Sequence, residues 1–255
     1  MSTSRFKDHF STRAPGYAAF RPRYPDALFE WLGDLTPGHS LVWDAGSGNG
    51  QAAVGLAKYF DKVVATDASE AQIANAEVHQ RVRYAVGRES DSGLPAQCCD
   101  MVTAAQALHW FDIPAFFAEA RRVLVPSGTI AVWTYGGPRL DKKSLNDKLQ
   151  AYLDHVEPYW PPERAMVDSG YRTIAFPFDE LASPRFEMEM YALRTELTGY
   201  LRTTSAHQRY VAEEGVDPVD WLEAQLAPIW PDGSRQRITW PITVRAGRTG
   251  DTFPA

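Results

Sequence analysis

The chain has 255 residues, a length that suggests one large domain, or one domain with a sizeable insertion. Hydrophobic residues make up 44% and charged residues 23%, a globular composition that excludes disordered, collagen-like and coiled-coil structure. With 26 basic against 32 acidic residues the net charge is −6, which argues against a nucleic-acid partner, because that affinity comes largely from Lys and Arg on phosphates.

Residues 1–40 are rich in aromatics and arginine, as in Phe20-Arg21-Pro22-Arg23-Tyr24-Pro25, and read as an N-terminal cap. Leu28, Phe29, Trp31 and Leu32 make a short amphipathic helix that stops before Thr36-Pro37-Gly38. The beginning of the chain lacks the apolar core of a signal peptide, and no run approaches about 18 apolar residues, so no membrane partner is expected. The two cysteines, Cys98 and Cys99, are adjacent. Sequence neighbours reach disulfide geometry with difficulty, and two thiols alone make no metal site, so a reducing cytoplasm and no metal are expected.

From residue 41 to 136 apolar runs alternate with helical patterns. Strands are expected at 41–45, 62–67, 82–86, 100–107 and 128–135, and helices at 51–59, 69–79 and 113–123. Ser69, with Gln72 three residues later, forms a capping-box pattern. Strands alternating with helices give a doubly wound α/β fold with a mainly parallel sheet. Residues 137–235 read as a mostly helical, aromatic-rich insertion. Within it, 185–193 alternates as a strand, and 196–210 and 219–229 read as helices. Residues 236–255 supply a last sheet strand, which Pro241 would confine to an edge or force into a bulge. Arg235, Arg237, Arg245 and Arg248 there read as a solvated face.

The most informative segment is Asp44-Ala45-Gly46-Ser47-Gly48-Asn49-Gly50, between the first strand and its helix. Glycines let a ligand approach the backbone, and a helix start offers free N–H groups to an anion. The dinucleotide pattern G-x-G-x-x-G/A is broken by Gln51, and the phosphate loop G-x-x-x-x-G-K-[ST] is absent. Asp67, at the end of the second strand, is placed to hold ribose hydroxyls. The six histidines are scattered without metal spacing, and no G-x-S-x-G elbow occurs.

The glycine loop, Asp67, Gly87-Arg88-Glu89 and Gln106-Ala107-Leu108-His109-Trp110-Phe111 together resemble the motifs of class I S-adenosylmethionine-dependent methyltransferases. Arg21-Pro22-Arg23-Tyr24-Pro25, His109-Trp110-Phe111 and the segment 200–210 resemble the small-molecule branch that includes trans-aconitate methyltransferases, although Thr204 stands where its members commonly carry tryptophan. The resemblance implies a Rossmann-like, seven-stranded sheet and S-adenosylmethionine as cofactor. It implies that Asp44, Gly46, Gly48 and Gly50 form the cofactor loop and that Asp67 holds the ribose. Ala68, Arg88 and Glu89 would flank the adenine, Gln106 and Trp110 would line the cofactor, and Tyr17 and Arg21 would close over it.

His109 either serves the acceptor, as an orienting group or a base, or makes a structural hydrogen bond beside the cofactor. Together with His109 and Trp110, the candidates for an aromatic-lined acceptor pocket are Tyr135, Tyr159, Trp160, Arg202, His207 and Tyr210. The expected reaction is methyl transfer to a small molecule, first of all to a carboxylate oxygen, by a monomer or homodimer. Alternatives are a small-molecule N- or hydroxyl O-methyltransferase of secondary metabolism, an NAD-dependent oxidoreductase, or a non-catalytic cofactor-binding protein.

Overall fold

The computed structural model describes residues 22–250. Five strands, β1 (Leu41–Ala45), β2 (Lys62–Asp67), β3 (Val82–Val86), β4 (Cys99–Ala105) and β5 (Leu124–Tyr135), are parallel and lie in the order β3-β2-β1-β4-β5. Four more follow: β6 (Arg139–Leu140), β7 (Asp179–Leu181), β8 (Phe186–Ala192) and β9 (Gln236–Arg248). All of these pair antiparallel with their neighbours through β9. Ile238 and Thr239 pair with both β6 and β8, whereas Ala246 to Arg248 pair with both β5 and β7. One flank of β9 therefore carries β5 then β6, and the other carries β8 then β7. The nine strands fill seven columns.

The helices before β6 are α1 (Asp26–Asp34), α2 (Gln51–Leu56), α3 (Glu70–Ala74) and α4 (Ile113–Val123). After it come α5 (Lys143–Val156), α6 (Arg164–Asp168), α7 (Arg194–Arg202), α8 (Ser205–Glu214) and α9 (Pro218–Leu226). Alternate strand residues face opposite sides. Val42, Met101, Ala131 and Trp133 enter one core with α1, α2, α5, α7 and α9. Trp43, Val102, Ile130 and Val132 enter the other, with α4 and Tyr171. Burial of both faces explains why these strands read as continuous apolar runs.

Three local expectations change. First, β9 is interior, not an edge strand. Pro241 is tolerated because its carbonyl accepts from the Gly136 N–H (3.0 Å), so its donorless nitrogen faces the seam where β5 has ended and β6 has not begun. Second, the helix expected over 196–210 is broken at Thr203-Thr204. Thr204 is extended (φ −76°, ψ 147°), and its hydroxyl accepts the His207 N–H to start α8. Third, the helix expected over 69–79 stops at Ala74, and the Glu77 N–H then donates to Asn49 O (2.9 Å) across the glycine loop. Cys98 and Cys99 are free thiols at the entry to β4, with the sulfurs 3.6 Å apart.

Packing of α1 on α2 gives a test. Replacing a helical glycine by alanine ordinarily stabilises a helix by about 0.5–1 kcal/mol. At Gly55, however, a Cβ would run into the buried ring of Phe29. Gly55→Ala is expected to lower stability, by about 1–3 kcal/mol, in urea unfolding.

Candidate active site

From β1 the chain winds outward through β2 and β3 on one side, while β4 and β5 build the other. The carboxyl ends of β1 and β4 therefore flank a switch point, where open α/β sheets form a crevice. β1 leaves the sheet through Gly46, Gly48 and Gly50, with φ of 66°, 54° and 88°. Left-handed backbone at alternate positions selects glycine. A Cβ on Gly46 would lie 2.7 Å from the Ala107 Cβ and 2.8 Å from the Phe111 ring, so the loop also packs bare backbone against the segment after β4.

Asp67 ties this loop to the next one. Its Oδ2 accepts the Gly48 N–H and its Oδ1 accepts the Ser69 N–H, both at 2.8 Å. Ser69 caps α3 by accepting the Gln72 N–H. Asp67, rather than the Gln72 side chain, takes the N–H that completes the expected capping box.

Beneath the loop Asp44 is fully buried. Thr103 donates to its Oδ1 (2.8 Å), and its Oδ2 has no hydrogen-bond partner among the described residues. Burial pushes its carboxyl up to about 7, the Thr103 hydrogen bond opposes this, and the nearby Asp67 charge adds to it. The buried Ser47 hydroxyl likewise has no partner among the described residues.

Across the crevice Gln106 takes a left-handed backbone (φ 52°). Its Oε1 accepts from the Thr134 hydroxyl (2.7 Å) and the Tyr135 N–H (2.9 Å), which pins the end of β4 to β5. His109 sits in a 3-10 turn at Leu108–Trp110 and is 9% exposed. Its Nδ1 shares a 2.9 Å hydrogen bond with the Tyr171 hydroxyl. Burial, and secondly the Arg164 charge, bring His109 down to about 4, so the ring is neutral at pH 7.

These groups border one cleft of about 1150 Å³. Its wall near β1 and β2 includes Gly46, Gly48, Asp67, Ala68, Arg88 and Glu89. Its wall toward β5 and α6 includes Gln106, His109, Trp110, Tyr135, Trp160 and Thr204. Gly50 is buried beneath the loop, like Asp44, and both lie outside the wall. Tyr17 and Arg21 lie outside the described residues.

Four expected acceptor residues are placed elsewhere. Tyr159 donates to Glu214 (2.6 Å) and Tyr210 shares a hydrogen bond with His155 (3.0 Å). Arg202 binds Asp217 and Asp220, and His207 meets Tyr152. These contacts join α5, α7, α8 and the start of α9, and none of the four residues is on the cleft wall. Sequence reading missed Arg164, which lines the cleft with its planar guanidinium 4.4 Å from the Trp160 ring centre. The one trace of it in the sequence is its i, i+4 spacing to Asp168. Among the late arginines, Arg235, Arg237 and Arg245 pair with Glu196, Glu189 and Glu180, so no free basic face forms from them.

The family described as a methyltransferase domain matches residues 43–132, from within β1 to within β5. A Dictyostelium discoideum protein assigned as a methyltransferase is 31% identical over 229 residues, covering 88% of this chain and 86% of its own length. The chain belongs to the S-adenosylmethionine-dependent methyltransferases. A solved structure from Anaeromyxobacter dehalogenans, described as a type II methyltransferase, is 44% identical with a TM-score of 0.85, over 89% of this chain and 97% of that one. The methyltransferase pgmE of Aspergillus terreus is 31% identical over 157 residues, which span 55% of this chain and 47% of pgmE. Among the described residues of this methyltransferase, no helix is long and apolar enough to cross a membrane.

Asp44 and His109 give the methyltransferase opposed pH dependences. The folded pKa of Asp44 lies above its ordinary 3.8, so its contribution to stability is full below about pH 4 and is lost as pH rises to about 7. The folded pKa of His109 lies below its ordinary 6.5, so its contribution is full above about 6.5 and is lost as pH falls toward 4. Between pH 4 and 7, thermal midpoints of His109→Gln are expected to fall with rising pH and those of Asp44→Asn to rise, with the wild type between them.

Proposed function

We propose that this methyltransferase moves the methyl group of S-adenosylmethionine onto a carboxylate oxygen of a small organic acid. The residues present fit that cofactor. The Gly46–Gly50 turn keeps its backbone bare, and Asp44 Oδ2 and Ser47 Oγ are buried polar atoms in want of a partner. In this reading the turn and Ser47 hold the amino-acid end of the cofactor, and Asp44 braces the turn from beneath. Asp67, already oriented by two backbone N–H groups, takes the ribose, and Ala68, Arg88 and Glu89 flank the base. Gln106 lies along the middle, and residues 137–235 supply the acceptor half through Trp160 and its neighbours.

When bound, the cofactor supplies a methyl group on a positively charged sulfur, so the driving force comes with it. The chain's own task is to align the acceptor and exclude water. The observation that carries the choice of acceptor is the state of His109. A general base works best with a pKa near the operating pH, and an imidazole held near 4 is a weak base toward a hydroxyl or an ammonium group. A carboxylate is already ionised at neutral pH and needs no base. The hydrogen bond to Tyr171 instead makes His109 a fixed part of the wall, beside Trp110.

Asp67→Ala is expected to weaken S-adenosylhomocysteine binding by about 10- to 100-fold in calorimetry, the cost of losing hydrogen bonds to a charged group. His109→Ala is expected to lower kcat only severalfold. Loss of turnover with cofactor binding intact would instead favour a hydroxyl or amine acceptor that must be deprotonated.

A further inference from the structure

The acceptor half of the cleft holds a cation that neither the motifs nor the reaction itself accounts for. Arg164 opens α6, and its side chain is only 19% exposed. Its guanidinium stacks on Trp160, and its Nε donates to Asp168 Oδ1 at 2.7 Å. Stacking engages the face of the guanidinium and leaves its edge available. Asp168 uses the Nε corner of that edge. The end-on fork of Nη1 and Nη2 makes no hydrogen bond among the described residues, and the group lines the cleft. It lies near enough to His109 to depress that ring's basicity, which places it beside the turn that follows β4.

Acidic residues share this wall, and most of them are more exposed than the arginine. Asp154, Glu157 and Asp168 are exposed, whereas Glu163 and Arg164 are half-buried. A shielded charge interacts more strongly with a ligand than a hydrated one. The planar fork of an arginine matches the two oxygens of a carboxylate.

We propose that Arg164, stacked on Trp160 and braced by Asp168, grips an anionic group of the acceptor that is distinct from the oxygen receiving the methyl. A carboxylate held by both Nη groups has its lone pairs engaged in two charge-assisted hydrogen bonds, which lowers its nucleophilicity. The gripped group and the methylated group are therefore separate, and Arg164 sets which acids fit. This assignment rests on the carboxylate reading above. Arg164 acts through binding and moves no proton.

The test uses the full chain with glutarate and succinate as probes, and their monoamides as controls. Transfer from S-adenosylmethionine is read as methyl ester by mass spectrometry, and binding by calorimetry on protein saturated with S-adenosylhomocysteine. For an acid that the wild type esterifies, Arg164→Gln is expected to raise KM at least tenfold with kcat changed less than threefold and S-adenosylhomocysteine affinity unchanged. Arg164→Lys is expected to recover part of the loss, and the monoamide to show the same loss on the wild type. Equal KM for Arg164→Gln and wild type, or a fall confined to kcat, would overturn the grip while leaving ester formation standing. If the wild type esterifies neither acid, the carboxylate reading fails. Probe binding that Arg164→Gln abolishes would then still support the grip, and absence of probe binding would overturn both.

Discussion

The site depends on bare backbone at the exit from β1. Gly46, Gly48 and Gly50 adopt left-handed conformations in succession, and at Gly46 there is no space for a side chain between the loop and Ala107. This lets the loop lie against the segment after β4, so the carboxyl ends of two neighbouring strands border the same cleft. The Gly48 N–H and the Ser69 N–H then meet on Asp67, which locks the loop after β1 to the loop after β2. A cleft wall assembled this way comes from three short sequence segments and owes its shape to the backbone rather than to long side chains.

Around that wall, burial controls ionisation in two opposite senses. Asp44 sits under the loop with one oxygen unpaired, and desolvation favours its neutral form. His109 sits opposite, where desolvation and the neighbouring guanidinium also favour the neutral form. Desolvation thus resists charge on a group beneath the loop and on a group in the opposite wall of the cleft. Arg164 is a half-shielded cation on the wall of this cleft.

The second half of the chain serves the site mostly from behind. Tyr159, Tyr210, Arg202 and His207 are aromatic or basic, and as isolated residues they suit an acceptor pocket. In the fold they meet Glu214, His155, Asp217 and Tyr152, and so join the helices that cover one sheet face. Trp160 and Thr204, from the same stretch of chain, do reach the cleft. The difference between the two groups lies in which face of a short helix or turn points inward, and single residues in an irregular segment carry no periodicity that reveals it.

The sequence by itself determined the βα alternation, the extents of β1, β2 and β3, and the glycine loop and the acid that border the cleft. Those features are local: apolar runs set strands, and left-handed backbone demands glycine at fixed spacing. Only the tertiary structure decided that β9 lies inside the sheet, because Pro241 is harmless only where its missing donor faces the gap between β5 and β6. It also decided that Arg164 belongs to the cleft and Arg202 does not. Both are arginines next to carboxylates, and what separates them is long-range packing: Trp160 and His109 lie beside one, and Asp217 and Asp220 close off the other.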